Sequence, residues 1–483
     1  WSWTCAGSNG GGSATCTANT LISTTPSTYY VAVNGNDVTG NGSINSPYAT
    51  IKKAVSVMKG GETVVVRNGT YENRDGMMIN DFASKQGTTS PANLIPFIPS
   101  GTKTLFTTIK AESPYGVRLK WTSNLSYWDA PVLISKAQYV NVDGFIYEVL
   151  NSEYPSYIVQ IDSTNNKITR TIVKRNMVDE YGGWYGVFGS NNLIEDGAGV
   201  GAARYGFNAG GPDSTQSQVI FRRVIGRMDF ANTYQPKATF SIYGNNGNAN
   251  VHDIILQNAI AIDGKNPSPG VTEQKYGGFY NPKNATNVSI VGSIVLNEAV
   301  GHAGIFSQEQ NGTGNSVKDT VIWDLATGST NGAVAIRAGI AANAPVSNIT
   351  IGGKLPGGNF TNITTPANSL INGSPTQILN NTPGALVMNK TGVSGTFWGD
   401  PGYNTVTSES LWPWPYEDQI ALVFKEQMDT PVGGQTQYRP GYSPAGNVSN
   451  RGFVTKGLTR YIWEYLGTPC PSNICPGGTV STP

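Results

Sequence analysis

Short runs of β-branched and aromatic residues, each followed by turn-forming residues, recur along most of this chain. Between positions 139 and 351 they return at a spacing of roughly 25–35 residues, which is typical of repeat architectures. Successive strands of such a repeat would stack about 4.8 Å apart. The pattern therefore predicts a solenoid of short strands. The runs are Tyr139–Asp143, Lys167–Val173, Asn192–Ile194, Gln218–Phe221, Asp253–Leu256, Asn287–Val291, Asp319–Ile322 and Ser347–Ile351.

The clearest local pattern lies near the beginning of the chain. Tyr29–Val33 alternates as a strand does, and the apolar residues between 51 and 58 have helical spacing. The pair Gly60-Gly61 predicts the end of that helix. A second strand is predicted at Glu62–Val66. This part of the chain is therefore predicted to run strand, helix, strand.

Four short sequence motifs follow one another within residues 29–71. They are Tyr-Tyr-Val, Ser-Pro-Tyr-Ala-Thr-Ile-Lys-Lys-Ala-Val, Gly-Gly-Glu-Thr-Val-Val-Val and Asn-Gly-Thr-Tyr. This order resembles the opening of secreted, pectin-lyase-like β-helix proteins. The resemblance implies an all-β, right-handed parallel β-helix solenoid with an N-terminal capping helix. It implies no single function, since that group includes lyases, hydrolases, epimerases, phage tailspikes and adhesins.

Three segments are expected: a disulfide-clipped N-terminal segment or linker over 1–28, the β-helix over 29–395, and a small helical C-terminal cap over 396–483. The last segment resembles the endings of uncharacterised bacterial β-helix proteins. We expect it to cover the open last coil with helices near 417–425 and 458–466, because an exposed solenoid edge invites aggregation. An α/β repeat would need long amphipathic helices between the strands, and a propeller or sandwich array is the other alternative.

Composition narrows the partners and the compartment. The chain has 32 basic and 31 acidic residues. It lacks the basic patch that nucleic-acid binding requires, and no apolar run is long enough to predict a membrane span. Four cysteines form two close pairs in polar segments, which favours local disulfides and an oxidising, extracellular or cell-surface location, although free thiols are the alternative. They are Cys5, Cys16, Cys470 and Cys475.

Charged residues are densest between positions 174 and 229. If the protein is a polysaccharide lyase, cations here would neutralise a uronate carboxylate and a base would take the C5 proton. The alternative is a ladder of ion pairs that holds coils in register, with Arg175, Asp196 and Arg222 in one column. The catalytic candidates are Lys174, Arg204, Tyr205, Arg222, Arg223 and Arg227.

Two further kinds of site have only partial signals in the sequence. His302, between Gly301 and Ala303, and the later Arg337 only partly resemble polygalacturonase-type hydrolase motifs, and no Asp-Asp pair accompanies them. Inverting hydrolysis needs two carboxylates. Scattered Asp and Asn side chains make calcium possible, but no clustered motif marks a metal site, so we expect no cofactor.

Aromatic residues in two loops are candidate carbohydrate ligands, because aromatic faces stack on sugar rings. The alternative is that they pack over the solenoid. They are Tyr181, Trp184, Tyr185, Tyr276 and Tyr280.

Two functions remain open at this point. The first is a structural or adhesive protein of the cell surface, such as an appendage or filament subunit, that binds carbohydrate or itself through residues 1–28 by adding a strand to a neighbour. The alternative is a polysaccharide lyase, or less readily a hydrolase, acting on an acidic polymer. The sequence does not decide whether the protein is an enzyme.

Overall fold

A computed structural model gives the fold of most of the chain between residues 27 and 353 and of shorter pieces outside it. The residues described are 2–5, 11–17, 27–82, 94–177, 182–211, 215–228, 237–244, 250–262, 277–281, 284–300, 303–307, 313–327, 334–338, 345–353, 360–361, 370–371, 389–391, 406–410, 416–429, 431–432, 435–436 and 457–465.

Two parallel sheets wind around one apolar core, which confirms the predicted right-handed parallel β-helix. A 17-stranded sheet forms two adjoining sides of the solenoid, and a ten-stranded sheet forms the third. Each coil contributes strands to both. Because parallel neighbours come from successive coils, a side chain at one position of a strand lies above its counterpart in the next coil.

The 17-stranded sheet contains β3 (Thr28–Val31), β4 (Thr63–Val66), β5 (Gly69–Glu72), β7 (Thr107–Ala111), β8 (Val117–Trp121), β10 (Val140–Asp143), β11 (Phe145–Val149), β13 (Lys167–Thr169), β14 (Ile172–Arg175), β16 (Asn192–Gly201), β18 (Thr215–Met228), β20 (Asn250–Ile262), β22 (Ala285–Val291), β23 (Ile294–Val300), β25 (Ser316–Thr327), β27 (Val346–Gly352) and β29 (Leu370–Ile371). The ten-stranded sheet contains β6 (Ile79–Asn80), β9 (Val132–Ile134), β12 (Tyr157–Ile161), β15 (Gly183–Val187), β17 (Tyr205–Ala209), β19 (Ala238–Ile242), β21 (Gly277–Asn281), β24 (Ala303–Ser307), β26 (Val334–Ala338) and β28 (Phe360–Thr361).

Among the described residues, three antiparallel strand pairs lie outside these sheets. They are β1 (Ser2–Cys5) with β2 (Ala14–Thr17), β30 (Asn389–Thr391) with β31 (Val406–Ser410), and β32 (Pro431–Val432) with β33 (Gln435–Thr436).

A column of residues with left-handed backbone marks the corner between the two sides of the 17-stranded sheet. Asp196, Arg223 and Asn258 occupy this corner in successive coils with φ of 53°, 48° and 53°. Asn and Asp tolerate this conformation better than most residues. Arg223 is held there by its ion pair with Asp196, whose nearest N–O distance is 2.8 Å. A repeated left-handed turn thus lets each coil change direction at the same place.

Buried polar and aromatic side chains also stack from coil to coil. The Oδ1 atom of Asn192 accepts a hydrogen bond from the backbone N of Asn166, and Asn166 Oδ1 accepts one from the N of Val140, at 2.8 and 2.9 Å. These bonds satisfy backbone groups that the turn would otherwise leave unpaired. Inside the ten-stranded sheet, the rings of Tyr185 and Phe207 stack at 4.6 Å.

The N-terminal coil begins as predicted. Helix α1 (Ile51–Val57) is capped by Thr50, whose Oγ1 accepts a hydrogen bond from the N of Lys53 at 3.1 Å. Its buried residues Ile51, Ala54 and Val55 join the core. The amphipathic pattern therefore closes the first coil with a helix.

Two C-terminal helices, α2 (Glu417–Asp429) and α3 (Leu458–Tyr465), are present as predicted, and α2 begins at the predicted residue. Helix α2 packs on the flank of the solenoid, against β14 and β16 in its middle coils. The expectation that its described residues cover the last coil is therefore wrong in position. The physical reason is that the helix buries Ile420, Ala421, Val423 and Phe424 at this position, and its Glu426 forms ion pairs with Arg118 of β8 and Lys174 of β14.

Candidate functional site

The outer surface of the ten-stranded sheet carries a groove that crosses β12, β15 and β17 and is flanked by residues next to β6, β9 and β19. The cavity has a volume of about 470 Å³. Its walls are mainly aromatic, with a few polar groups, which is the usual composition of a ligand site. It is lined by Phe82, Tyr127, Trp128, Ser156, Tyr157, Gln160, Asp162, Phe188, Arg204, Tyr205, Asn208, Gly210, Gly211 and Tyr243.

One end of the groove is an aromatic cluster. Trp128 stacks on Phe82 with ring centroids 4.4 Å apart and planes at 25°. Tyr127 meets Trp128 edge-on at 4.7 Å and is 43% exposed. Flat apolar faces held in this way present C–H and π surface that a sugar ring can stack against.

Glycine makes room for the aromatic pair in the middle of the groove. The rings of Tyr157 and Phe188 meet edge to face at 5.6 Å. A Cβ atom at Gly186 would lie 2.6 Å from Cγ of Tyr157 and 2.9 Å from Cε2 of Phe188. Gly186 pairs with Gln160 of the preceding coil and Asn208 of the next. Only a residue without a side chain fits between these two polar positions and the rings.

Two polar side chains at the end of β12 share the groove, Gln160 within the strand and Asp162 directly after it. Gln160 and Asp162 are two residues apart and therefore on one face. Nε2 of Gln160 donates a 2.9 Å hydrogen bond to Oδ1 of Asp162. Burial raises the pKa of Asp162 to about 6; the hydrogen bond from Gln160 lowers it, and the nearby charge of Asp81 raises it further. The carboxyl group can thus change its charge just below neutral pH.

The opposite end carries the only arginine among the lining residues. The guanidinium carbon of Arg204 lies 5.4 Å from the ring centroid of Tyr205, which stacks on Tyr243 at 6.1 Å. Such a cation–π contact attracts a guanidinium to the face of the ring. This end therefore combines a positive charge with aromatic surface.

A buried arginine supports the wall that contains Ser156 and Tyr157. Arg175 is fully buried, and its guanidinium donates hydrogen bonds of 2.5–3.0 Å to five backbone carbonyl oxygens. Three of these oxygens belong to residues 153, 155 and 156, just before Tyr157. Arg175 thus fixes the chain that enters β12.

The structure brings two of the six lyase candidates into the groove, Arg204 and Tyr205. The other four lie on the 17-stranded sheet. Lys174 is buried and 3.6 Å from Glu426 of helix α2. Arg222 lies 3.5 Å from Glu195, and Arg223 lies at the corner described above. The predicted group of six is therefore not one site.

Burial prevents the arginines on the 17-stranded sheet from acting as the predicted lyase residues. Arg222 and Arg227 are 1% and 0% exposed, so neither can contact an external polymer. The predicted column of Arg175, Asp196 and Arg222 is also wrong, because the register pairs Arg175 with Gly201 and Arg222 with Glu195. The alternative of ion pairs between coils applies to Arg222 and Arg223, which both pair with Glu195.

The aromatic ligand candidates are corrected in a similar way. Trp184 and Tyr185 are 0% exposed and lie in the core, so packing and not a surface platform is their role. Tyr185 also donates to the carbonyl oxygen of Thr171 at 2.9 Å. The backbone of Tyr280 lies in β21, but its side chain, Tyr181 and Tyr276 fall outside the described residues.

Most of the remaining candidates lie outside the described residues. His302, Cys470, Cys475 and the side chains of Cys5 and Cys16 also lie outside the described part, so the disulfides stay predictions. Arg337 is half-buried in β26. Within the described ranges, no group of three or more His, Cys, Asp or Glu residues could hold a metal ion, and no helix is long and apolar enough to cross a bilayer.

Sequence reasoning missed most of the groove. Tyr127-Trp128 and the polar residues Gln160 and Asp162 had a weak signal, since an aromatic pair follows a polar turn and two alternate polar residues end an apolar strand. Asn208 had none. The lining residues come from six successive coils, from Phe82 after β6 to Tyr243 after β19, and only the coil register places them together.

Comparison with known sequences finds two matches, each to a short part of the chain. Residues 33–90 match the model of a family described as a protein of unknown function, DUF1565. A transmembrane domain-containing protein of Dictyostelium discoideum is 42% identical over 57 residues, which is 11% of this chain and 4% of that protein. The chain thus spans a very small part of that relative.

Several solved β-helix enzymes resemble the chain at low identity. A family 6 polysaccharide lyase from Pseudopedobacter saltans has 11% identity and a TM-score of 0.35, covering 70% of this chain and 94% of its own. A mannuronic acid specific family 6 lyase from human gut microbiota has 13% identity and a TM-score of 0.38, and the match covers 64% of this chain and 79% of the lyase. The catalytic domain of a GH87 α-1,3-glucanase in complex with nigerose has 12% identity and a TM-score of 0.37, and the match covers 71% of this chain and 69% of that domain.

Proposed function

We propose that this protein is an extracellular or cell-surface glycan-binding protein and that the aromatic groove of the ten-stranded sheet is its binding site. One observation carries the proposal: seven aromatic residues and three uncharged polar residues line a single open groove with Asp162 and Arg204. Aromatic faces suit the apolar faces of sugar rings, and Gln160, Asp162 and Asn208 offer hydrogen-bonding groups to their hydroxyls.

The groove also suits a polymer better than a small enclosed ligand. It is open to solvent along successive coils, and its aromatic pairs lie at several places: Phe82 with Trp128, Tyr157 with Phe188, and Tyr205 with Tyr243. A chain of sugars laid across the coils could contact more than one pair. Such repeated stacking supports an adhesive role at a surface, with or without the self-association proposed for residues 1–28.

The experiment is a binding screen with immobilised neutral and acidic polysaccharides, followed by titration of the best ligand. Trp128→Ala should weaken binding at least tenfold, since truncating an aromatic residue that anchors a ligand costs about 2 kcal/mol or more, and a factor of ten is about 1.4 kcal/mol. Phe97→Ala is the matched control, because Phe97 is 67% exposed and is not part of the groove. Equal affinity of the Trp128→Ala and wild-type proteins would remove the proposal.

Cleavage of an acidic polysaccharide by β-elimination is the second candidate. It is favoured by the position of Arg204 beside Tyr205, since such a reaction needs a cation near the uronate and a group that takes the C5 proton. Absorbance of the new C4–C5 double bond, followed with pectate, alginate and glycosaminoglycans, tests it. Activity that disappears in Tyr205→Phe would favour the lyase over a purely binding role.

A further inference from the structure

The charges of the groove are few and lie at different places. Asp162 and Arg204 are the charged residues of its lining, and the titratable tyrosines are Tyr127, Tyr157, Tyr205 and Tyr243. The four other cations once expected at this site lie on the 17-stranded sheet. Among the lining residues that the structure describes, a polyanionic glycan would therefore meet one positive side chain and not a cluster.

The surroundings of Asp162 are negative or uncharged. Gln160, from its own strand, donates to one carboxylate oxygen, and the carboxylate of Asp81 in an earlier coil acts on it through its charge. Asp81 is itself buried and accepts hydrogen bonds from the backbone N atoms of residues 135–137. A second carboxylate that approached Asp162 would meet like charge in a partly desolvated place.

The positive charge of Arg204 acts at the other end of the groove. Its guanidinium lies over the ring of Tyr205, and its charge lowers the pKa of Tyr157, although burial raises that pKa more. Tyr205 and Tyr157 belong to β17 and β12, two coils apart. The guanidinium is thus placed against the ring of Tyr205, on a strand two coils from the one that carries Gln160.

We propose that Asp162 makes the groove selective for neutral glycans over glycans that carry uronic-acid carboxylates. The inference rests on the proposed function and names the class of glycan. A neutral sugar can donate its hydroxyls to the carboxylate of Asp162, whereas a uronate in the same place would bring a second negative charge beside it. Selection by repulsion of the wrong ligand is a common way to obtain specificity.

The test uses matched ligands that differ only in charge. Oligosaccharides of mannuronan, glucuronan and galacturonan are titrated into the full chain at pH 7.5, each before and after its carboxyl groups are reduced to primary alcohols. The wild-type protein should bind the best reduced ligand at least tenfold more tightly than its acidic parent. In Asp162→Asn the ratio should fall below threefold, because the amide carries no charge.

Two controls accompany these titrations. Glu153→Gln removes an exposed carboxylate from the loop before β12, which is not part of the groove, and should keep the wild-type ratio. Thermal unfolding shows that each variant is folded. The preference of the wild-type protein for the reduced over the acidic ligand should also become smaller at pH 5. Asp162 is largely protonated at that pH, since its pKa lies at about 6.

The possible results distinguish a failure of the selectivity from a failure of glycan binding itself. Equal or tighter binding of the acidic ligands by the wild-type protein, or an unchanged ratio in Asp162→Asn, overturns the selectivity while leaving glycan binding in place. If neither form of any ligand binds the folded wild-type protein or a variant, glycan binding in the groove fails and the selectivity fails with it.

Discussion

Nε2 of Gln160 lies 2.9 Å from Oδ1 of Asp162, and both side chains line the same groove. The hydrogen bond orients the carboxyl group before any ligand arrives. An amide and a carboxyl group fixed in this way offer acceptors and a donor at a defined separation, which suits hydroxyl groups on neighbouring carbons of a sugar. The cost is a partly buried carboxyl group.

That cost predicts how stability depends on pH at Asp162. Its pKa of about 6 in the folded protein is above the ordinary value of 3.8, so the folded state binds more protons between these two pH values. This residue therefore makes the folded protein less stable as pH rises from about 4 to 6. As pH rises from 3.5 to 7.5, the free energy of unfolding of Asp162→Asn should therefore increase by about 1–3 kcal/mol relative to that of the wild-type protein.

Urea unfolding at the two pH values measures that gain. Glu153→Gln, at an exposed position, is the control and should show no gain of this size. A difference between Asp162→Asn and wild type that is the same at pH 3.5 and pH 7.5 would contradict the raised pKa.

Gly186 predicts a defect in binding that is local to the groove. Gly186→Ala forces a methyl group into the space of the Tyr157 and Phe188 rings and should weaken glycan binding at least tenfold, with a stability loss of about 1–3 kcal/mol. Gly197→Ala is the matched control, since a Cβ there meets its nearest atom at 3.4 Å. Titration calorimetry with one glycan should separate the two variants; equal affinities would show that the ring pair does not contact the ligand.

The buried guanidinium of Arg175 predicts a large structural effect. Arg175→Ala leaves five carbonyl oxygens without this donor and should lower the free energy of unfolding by about 3 kcal/mol or more. Arg175→Lys keeps the charge but has fewer donors, so its loss should be intermediate. Arg67→Ala, at a half-exposed ion pair with Glu112, should cost less than about 1 kcal/mol. Denaturant unfolding ranks the three variants, and equal losses for Arg175→Ala and Arg67→Ala would argue against this support.

Glu426 predicts how helix α2 is held on the solenoid. It forms a two-bond contact with Arg118, at 2.6 and 3.2 Å, and lies 3.6 Å from Lys174. Burial raises its pKa, but these cations outweigh burial, and the pKa is lowered overall. Its stabilising effect is therefore present above the ordinary carboxyl pKa and is lost as pH falls through the lowered value.

Glu426→Gln should accordingly loosen helix α2 at pH 7 by about 2 kcal/mol or more, detected as faster proteolysis within residues 417–429. The exposed Asp418→Asn on the same helix is the control. Glycan binding should be retained, because the helix lies on the other sheet. Identical proteolysis of the two variants would mean that this ion cluster does not secure the helix.

The fold could be predicted from the sequence because its signals are local. The alternation of Tyr29–Val33, the helical spacing of residues 51–58 and the recurring strands each depend on neighbours in the chain, and each was confirmed. The asparagine stack of Asn166 and Asn192 follows the same repeat. The sequence of a single strand does not determine its register with the strand of the next coil.

The candidate site depends on that register, which explains the errors. Arg222 and Trp184 have the residue types of a lyase site and a sugar platform, yet their strand positions place both in buried surroundings. Irregular loop lengths between coils hide the alignment of Gln160 with Gly186 and Asn208. Arg204 and Tyr205 were found because charge and aromatic character stand next to each other in the sequence.

The most direct test of the central claim is a crystal structure of the protein with the tightest-binding neutral oligosaccharide from the screen. The account predicts sugar rings in the groove, in van der Waals contact with Tyr127 or Trp128, and a sugar hydroxyl within hydrogen-bonding distance of Asp162. A ligand bound elsewhere on the solenoid, with the groove open to solvent, would contradict it.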